Sequence, residues 1–303
     1  MHGIDTLERL LARTWPGLEQ DHLGEWLLRA GHGWTGRANS ALAVGDPGLS
    51  REEALDRVAA WYAARGLPPR VHVPLPLSGS DAAGEALLAD CAARGWAAGP
   101  WTWVMTRDVG AGPADRPGPA ASGLELEWDD APGDDWVSLV RGGSLPEHGR
   151  AILAAAPAWY LTVRVDGEPV ACGRAAPVEG WVVLSAIEVA PGHRRGGLGA
   201  LTTEALTARG EAAGASRVAL QVEVANKGAV ALYRKLGYAE HHRYTYCAGD
   251  SGVGEDRREG HGDEDEGDEQ DGGVSEEDHG SSLPAGSDIP HRSAVRFGLR
   301  PAV

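Results

Sequence analysis

A glycine-rich turn between an apolar strand and a helix-forming segment constrains this chain more than any other feature. Residues 181–190 form a short apolar run bounded by turn residues, which predicts a buried strand. Residues 191–199, Pro-Gly-His-Arg-Arg-Gly-Gly-Leu-Gly, form the turn. A helix is predicted for residues 198–213, with one apolar stripe at helical spacing made by Leu198, Leu201, Ala205, Ala208 and Ala212.

This order places glycines and two arginines at the N-terminus of the predicted helix. A helix N-terminus has unpaired backbone N–H groups and a partial positive charge, so it attracts anions. Glycines let the backbone approach a phosphate, and Arg194 and Arg195 add permanent charge with forked donors. The turn therefore indicates a phosphate site. It lacks the Gly-Lys-Ser/Thr of a Walker loop and the Gly-x-Gly-x-x-Gly of a dinucleotide fold, which excludes both classes.

Two signatures in this region resemble those of one family. The spacing Arg194-x-x-Gly197-x-Gly199 resembles the pyrophosphate-binding signature of the GNAT superfamily, the acyl-CoA-dependent N-acetyltransferases. Residues 220–238 are similar to the second signature, a strand, an Asn, and a short helix that carries Leu-Tyr and ends in Gly-aromatic. The resemblance covers residues 123–247. It implies an α/β fold whose mixed, mostly antiparallel sheet is flanked by helices.

The resemblance implies a role for each matching position. The backbone of Val189 and Ala190 would hold the pantetheine arm of acetyl-CoA as an added strand does. Asn226 would bind the pantetheine or order the end of its strand, and Tyr233 would donate a proton to the departing CoA thiolate. The pyrophosphate would be bound by Arg194, Arg195, Gly196, Gly197, Leu198, Gly199 and Ala200. No metal is expected.

Helical spacing predicts where Tyr233 points. Leu232 and Leu236 are four residues apart and should face the core, which turns Tyr233 by about a quarter-turn towards the cofactor cleft. A packing aromatic with a satisfied hydroxyl is the alternative interpretation.

The general base is less constrained by the sequence. Some relatives carry a Glu five residues before the Asn, where this chain has Gln221, an amide that cannot act as a base. Glu188 on the predicted central strand is the first candidate, on the face opposite Ile187 and Val189. Its alternative role is a structural carboxylate paired with an arginine of the turn. Glu223, the pair His241–His242, and a chain of water molecules remain alternatives.

The first part of the chain repeats the order of elements in the second. Residues 25–30 and 37–44 are predicted to pair across Gly31-His-Gly33, a capping box at Ser50 and Glu53 begins a helix, and residues 70–75 form a strand. Three matches support a duplication: Arg70-Val71 with Arg217-Val218, Gly95-Trp96 with Gly237-Tyr238, and Trp101-Thr-Trp103 with Tyr244-Thr-Tyr246. We therefore predict tandem GNAT-like folds, residues 1–109 and 123–247, joined by a Pro/Gly/Ala linker at 110–122.

The first copy lacks the cofactor motif. Its helix begins with Arg51-Glu52-Glu53, and two carboxylates in a first turn would repel a pyrophosphate. Cys91 stands where the second copy has Tyr233, and a small buried residue is the favoured interpretation over a reactive thiol. We expect this copy to be degenerate.

Charge is concentrated at one end of the chain. The net charge is −16, yet residues 248–288 hold 15 acidic and 2 basic residues. That composition predicts a disordered acidic segment. In residues 289–303 apolar residues alternate with arginines, which predicts a strand that docks on the folded body. The remainder of the chain is near neutral and carries no basic patch of the kind that binds nucleic acid.

The sequence also bears on the compartment. No apolar run is long enough to span a membrane, and no secretory signal is evident. Three distant cysteines fit no metal site or disulfide framework, so a cytoplasmic protein is expected.

These observations predict an enzyme that moves an acetyl group from acetyl-CoA to an amine by direct attack. A small-molecule amine is the favoured acceptor, and a peptide amine is the other. Two further interpretations remain: a non-catalytic acyl-CoA sensor, and a protein acetyltransferase recruited through the acidic segment. A monomer and a homodimer are both compatible with the sequence.

Overall fold

The computed structural model describes residues 3–112, 123–140 and 143–250. Most of the predicted linker, the acidic segment from residue 251 onward and the predicted strand at 289–303 lie outside these residues. The described helices are α1 Ile4–Arg13, α2 Arg51–Ala63, α3 Ala82–Ala93, α4 Asp134–Leu139, α5 Glu147–Ala154, α6 Leu198–Ala212 and α7 Lys227–Lys235. The strands are β1 Glu19–Leu23, β2 Trp26–Ala30, β3 Ala41–Leu42, β4 Arg70–Leu75, β5 Ala97–Ala98, β6 Thr102–Asp108, β7 Leu124–Asp129, β8 Trp159–Val165, β9 Glu168–Val178, β10 Trp181–Val189, β11 Arg217–Glu223 and β12 Ala239–Ala248.

One mixed sheet contains all these strands. Its order is β1-β2-β3-β4-β12-β6-β11-β10-β9-β8-β7, and β5 pairs with β12. The pairs β3/β4 and β10/β11 are parallel, and the other pairs in the described residues are antiparallel. The predicted α/β fold, a mostly antiparallel sheet flanked by helices, is confirmed.

The two halves of the chain exchange their last strands. In the sequence duplication β4 corresponds to β11, and β6 corresponds to β12. In the structure β12 pairs with β4, from Arg243↔Leu75 to Ala248↔Arg70, and β6 pairs with β11 along its length. β6 and β12 then pair with each other at the centre. The continuous sheet crosses the predicted boundary between residues 1–109 and 123–247. These bounds therefore remain a prediction of where the two duplicated copies begin and end.

Two local predictions follow directly from backbone chemistry and are seen in the structure. The Glu53 N–H donates to Ser50 Oγ at 3.3 Å, and the Ser50 N–H donates to Glu53 Oε2 at 3.2 Å, which completes the capping box of α2. Asp166 and Gly167 both have positive φ, 52° and 87°, in the two-residue turn between β8 and β9. That is the conformation a tight right-twisted hairpin requires.

The predicted strand pair in the first half is confirmed only in part. β2 contacts β3 at one pair, Leu27↔Leu42, and its other edge pairs with β1, which the sequence did not indicate. Residues between β2 and β3 form a loop fastened by buried Asn39. Its carboxamide oxygen accepts from the N–H groups of Gly31 at 2.6 Å and Gly33 at 2.8 Å. The side chain satisfies backbone groups that strand pairing would otherwise use.

The predicted apolar stripe of α6 is confirmed only in part, because Leu198 is buried and Leu201 and Ala205 pack half-buried against the core. Ala208 and Ala212 are exposed, while the buried face carries Leu198, Leu206 and three threonines. Each threonine hydroxyl donates to the carbonyl four residues earlier, at 2.7–2.8 Å, so its burial leaves no polar group unpaired. A Cβ at Gly210 would lie 2.5 Å from Val182, so the missing side chain lets α6 lie close to the sheet.

Both faces of the central strands are covered. Val182, Leu184 and Leu220 pack with α6 and α7 on one face. Val183 and Ala219 pack on the other face with three leucines of α1, Leu7, Leu10 and Leu11. Helix α1 of the first half thus covers strands of the second half.

The exchange predicts that neither half folds alone. Residues 1–112 and 123–250, expressed separately, should each lack a stable fold, because β4 and β11 would lose the strands that cover their edges. Circular dichroism and size-exclusion chromatography measure this. The same two pieces, co-expressed, should give a folded one-to-one complex. A cooperatively unfolding monomer of residues 123–250 would contradict the prediction.

Candidate active site

An opening between β10 and β11 forms the centre of the site. The two strands pair in parallel from Trp181↔Arg217 to Leu184↔Leu220. Within residues 143–250 they share no further pair, although β10 continues to Val189 and β11 to Glu223. A bulge between Ser185 and Glu188, with Ala186 at φ 51°, marks the point where pairing stops. Bulges of this kind bend a strand and end its pairing.

After the bulge, the backbone hydrogen-bonding groups of β10 point alternately towards β9 and into the opening. The Ala190 N–H donates to the Val170 carbonyl at 2.9 Å, so that donor belongs to the pairing with β9. Strand alternation directs the N–H and carbonyl of Val189 to the other side, into the opening. The Val189 carbonyl accepts from Arg194 Nε at 3.1 Å. Of the two residues predicted to hold a pantetheine arm, Val189 presents its backbone there.

The glycine-rich turn lies at the end of this opening. Residues 191–197 are exposed, and Arg195 and Gly197 have positive φ of 66° and 85° immediately before α6. Intrahelical bonding of α6 starts with the Leu201 N–H donating to the Gly197 carbonyl at 3.0 Å. The N–H groups of the first turn therefore point towards the exposed residues Arg194–Gly197, as an anion site requires.

The other residues predicted to bind the pyrophosphate take different positions. Leu198 is buried in the core, and Ala200 is half-buried against it. A Cβ at Gly199 would lie 3.2 Å from Leu232 Cδ2, so this glycine sets the approach of α6 to α7. Gly196 is exposed, and a Cβ there would come no nearer than 3.6 Å to the His193 carbonyl oxygen.

Asn226 caps helix α7. Its carboxamide oxygen accepts from the Ala229 N–H at 2.9 Å, and its own N–H donates to the Glu223 carbonyl at 3.0 Å. The residue is exposed where β11 ends and α7 begins. It therefore orders the strand end, one of the two roles the sequence left open, and cofactor binding stays a prediction.

Tyr233 lies deeper than helical spacing predicted. It is 7% exposed and packs edge-on against Tyr238, with ring centroids 5.8 Å apart, while Leu232 rather than Tyr233 is the half-buried side chain. Burial raises the pKa of the Tyr233 hydroxyl above its usual range, and the nearby Tyr238 and Glu188 raise it further. The phenol is therefore protonated at neutral pH, the form that can donate a proton.

The candidate bases occupy the other face of the sheet. Ile187 and Val189 pack on the side of α6 and α7, so alternation turns the exposed Glu188 away from it, as predicted. Glu223 is half-buried on β11. Two residues earlier on that face, Gln221 Oε1 accepts from Arg37 Nε at 2.6 Å. The first half therefore supplies a charged side chain to the site, which no motif indicated.

The histidine pair belongs to a buried polar chain. His241 Nδ1 and His242 Nδ1 are 2.8 Å apart, and His242 Nε2 lies 2.7 Å from Glu8 Oε1. His72 also approaches Glu8, at 3.5 Å. Burial alone would raise the pKa of Glu8, but His72 and His242 hold it well below its usual range. No motif in the sequence singled out Glu8. Its position beside Leu7, on the apolar face of α1, is the sequence feature that could have indicated this cluster.

Cys91, on α3, is fully buried in the core of the first half, as expected for a small packing residue. Among the described residues, no group of three or more potential metal ligands comes together. Of the described helices, none is both long enough and apolar enough to cross a bilayer.

Fold and site together define a GNAT-type N-acetyltransferase, an acyltransferase. A family model described as "Probable histone acetyltransferase Rv0428c C-terminal" matches residues 2–247, and the chain belongs to this family. It is 33% identical over 265 residues to the probable histone acetyltransferase Rv0428c of Mycobacterium tuberculosis, covering 82% of this chain and 75% of that protein. It is 30% identical over 255 residues to the uncharacterized N-acetyltransferase YobR of Bacillus subtilis, covering 80% and 98%.

Solved structures show the same fold. A GCN5-related N-acetyltransferase from Kribbella flavida superposes with a TM-score of 0.62 at 20% identity, covering 82% of this chain and 96% of that one. A tandem GNAT protein from the clavulanic acid biosynthesis pathway gives a TM-score of 0.52 at 18% identity, covering 76% and 79%. The tandem GNAT interpretation of the fold is thereby confirmed.

The capping role of Asn226 is testable. Asn226→Ala should lower the free energy of unfolding by about 1 kcal/mol, because the Ala229 N–H loses its acceptor. Denaturant unfolding measures it, and Asn226→Ser should restore most of the loss because serine also caps helices. If Asn226 binds the cofactor as well, the stable serine variant should still bind acetyl-CoA more weakly. Equal stability of the alanine variant and the native protein would refute the cap.

Proposed function

We propose that this enzyme transfers the acetyl group of acetyl-CoA to a small amine by direct attack, in the half of the chain from residue 123 to 247. The observation that carries the proposal is the opening between β10 and β11, which leads to the exposed α6 N-terminus. The pantetheine arm would lie along Val189, and the pyrophosphate would meet Arg194, Arg195 and the N–H groups of the first helical turn. Membership of an acetyltransferase family supports the same chemistry.

Starting from the neutral amine, the reaction needs two proton transfers, and an ammonium substrate must first lose one further proton. The neutral amine attacks the thioester carbonyl, a C–N bond forms, and the C–S bond breaks as the tetrahedral intermediate collapses. The amine loses one proton to a base, and the CoA thiolate gains one. Tyr233 is the proposed donor to the thiolate, since its raised pKa keeps the hydroxyl protonated.

The free-energy cost that a base has to offset is the cost of deprotonating the substrate ammonium. An alkyl ammonium with a pKa of about 10.4 costs roughly 4 kcal/mol to deprotonate at neutral pH. A positioned base contributes about 10²–10⁴ in rate. We assign the role of base to Glu188, because it is exposed at the bulge and its negative charge raises the pKa of Tyr233. Glu223 on the facing strand is the alternative.

A peptide amine is the second candidate acceptor. The Mycobacterium tuberculosis relative is named a probable histone acetyltransferase, which favours this acceptor. We further propose that the first half is a degenerate copy that completes the acceptor side of the site, since Arg37 reaches β11. The sheet pairs the two halves within one chain, which supports a monomer, and we propose the cytoplasm as its compartment.

Acetyl-CoA titration tests the cofactor site. Calorimetry should show one site per chain, and the double variant Arg194→Ala, Gly197→Glu should weaken binding at least about tenfold by removing a cation and adding a carboxylate beside the anion. Gly48→Glu with Arg51→Ala is the matched control, because Gly48 also has positive φ, 73°, with no atom within 4 Å of an added Cβ. Absence of binding would overturn the proposal. Two sites would show that the first half also binds acetyl-CoA.

Tyr233→Phe tests the proton donor. The variant should lower kcat by about 100-fold or more while the KM for acetyl-CoA stays within about twofold, because only the hydroxyl is lost. The native enzyme should show no alkaline loss of kcat from Tyr233 below pH ~10, since its pKa is raised. Tyr238→Phe removes a hydroxyl from the same core, where it lies 3.3 Å from Thr207 Oγ1, and should keep kcat. An unchanged kcat for Tyr233→Phe would remove Tyr233 as the proton donor, whereas binding of acetyl-CoA without any turnover by the native protein would favour the sensor interpretation.

A further inference from the structure

A row of polar residues crosses the sheet at the point where β10 and β11 separate. Tyr160, Arg174 and Ser185 are register partners on β8, β9 and β10, so their side chains share one face. Gln221 follows the last paired residue of β11 and continues the row across the opening. Trp15, just after α1, lies over it and is buried. Ser185 and Gln221 flank the opening and form its floor on the face of Glu188 and Glu223, and Arg174 and Tyr160 continue the row beneath Trp15.

Arg37 reaches this floor from the first half. Its loop is fixed by Asn39, and its Nε donates to Gln221 at 2.6 Å, which orients the guanidinium. Its central carbon lies 5.5 Å from the centroid of the Trp15 ring. The side chain is half-buried, and its two terminal nitrogens form no hydrogen bond with the described residues. A forked donor is thereby held in place with its outer edge unused.

Arg174 places a second positive charge under the same ring. It is fully buried, 4.9 Å from the Trp15 centroid, and uses Nε on Tyr160 Oη at 3.3 Å and Nη2 on the Thr14 carbonyl at 3.1 Å. Its Nη1 has no partner within the described residues. Burial lowers the pKa of Arg174, and the positive charge of Arg37 lowers it further.

No carboxylate within the described residues forms an ion pair with Arg37 or Arg174. Two more buried donors nearby, Trp15 Nε1 and Ser185 Oγ, are also without a partner there. Buried donors and charges are almost always satisfied in folded proteins, because leaving them unpaired is costly. Two arginines at the Trp15 ring, the ring's own N–H and the Ser185 hydroxyl thus each keep a donor without an acceptor in the described part of the chain. A bound anion would supply an acceptor to Arg37, the half-buried member of this set.

We propose that the acceptor amine carries a carboxylate, which Arg37 binds while the amine faces Glu188 and Glu223. The inference rests on the proposed function and adds the substrate class. Arg37 is forked and permanently charged, which suits a planar carboxylate. Glu223 lies two residues from Gln221 on the same face, about 7 Å along the strand, so opposite charges of one small molecule can be matched. Gln221 is a positioning residue for the guanidinium.

Binding to the intact chain in the presence of CoA tests this assignment without requiring turnover. Thermal shift and calorimetry would compare matched pairs of ligands: each L-amino acid with its carboxamide, and 4-aminobutyrate and 5-aminopentanoate with butylamine and pentylamine. At least one carboxylated member should bind, and Arg37→Gln should weaken it about ten- to a hundredfold. Its partner without the carboxylate should bind the native protein and the variant equally weakly. Gln221→Leu should give a smaller loss confined to the carboxylated member.

The control is Arg65→Gln, another arginine stacked on a tryptophan, 3.6 Å from the Trp61 centroid but paired with Glu19 at 3.0 Å. It should leave binding of every ligand unchanged, and circular dichroism checks that each variant is folded. Equal binding of both members of every pair, no effect of Arg37→Gln, or no binding by any amine overturns the carboxylate assignment. Preference for a peptide carrying the amine over all small ligands would also overturn it. The acetyl-CoA titration described above judges the proposed function separately.

Discussion

The pairing of β6 with β12 at the centre of the sheet is the interaction on which the rest of the structure depends. Each strand is the last of its half, and each also pairs with a strand of the other half. The exchange brings α1 of the first half over strands of the second, and it brings the loop of Arg37 to β11. The proposed acceptor side of the site is thus built by residues that are far apart in sequence.

Local chemistry made much of this molecule predictable from its sequence. The capping box at Ser50, the Asp166-Gly167 hairpin, the strand–turn–helix around Gly197 and the position of Asn226 all depend on a few neighbouring residues. Backbone conformation and capping act over one or two turns, so a short stretch of sequence carries their signal.

What the sequence could not show depends on contacts between distant segments. The face that α6 buries is decided by close packing at Gly210 and by threonines whose hydroxyls bond within the helix, and apolar spacing does not record either. The depth of Tyr233 depends on where α7 meets Tyr238. The contact between Arg37 and Gln221 exists only because the halves exchange strands, and the two residues share no motif. The sequence thus indicated the proposed cofactor side of the site better than the proposed acceptor side.

The exchanged strands also set the order in which the protein can be assembled during synthesis. β4 emerges from the ribosome early, but its partner β12 is the last described strand to be made. Until then the first half carries an exposed β4 edge and an α1 whose leucines lack the strands they cover. Contacts of such long sequence separation form slowly, and open edges invite wrong pairing. The sheet therefore cannot close until most of the described chain has been translated, so β4 and α1 wait for partners made much later.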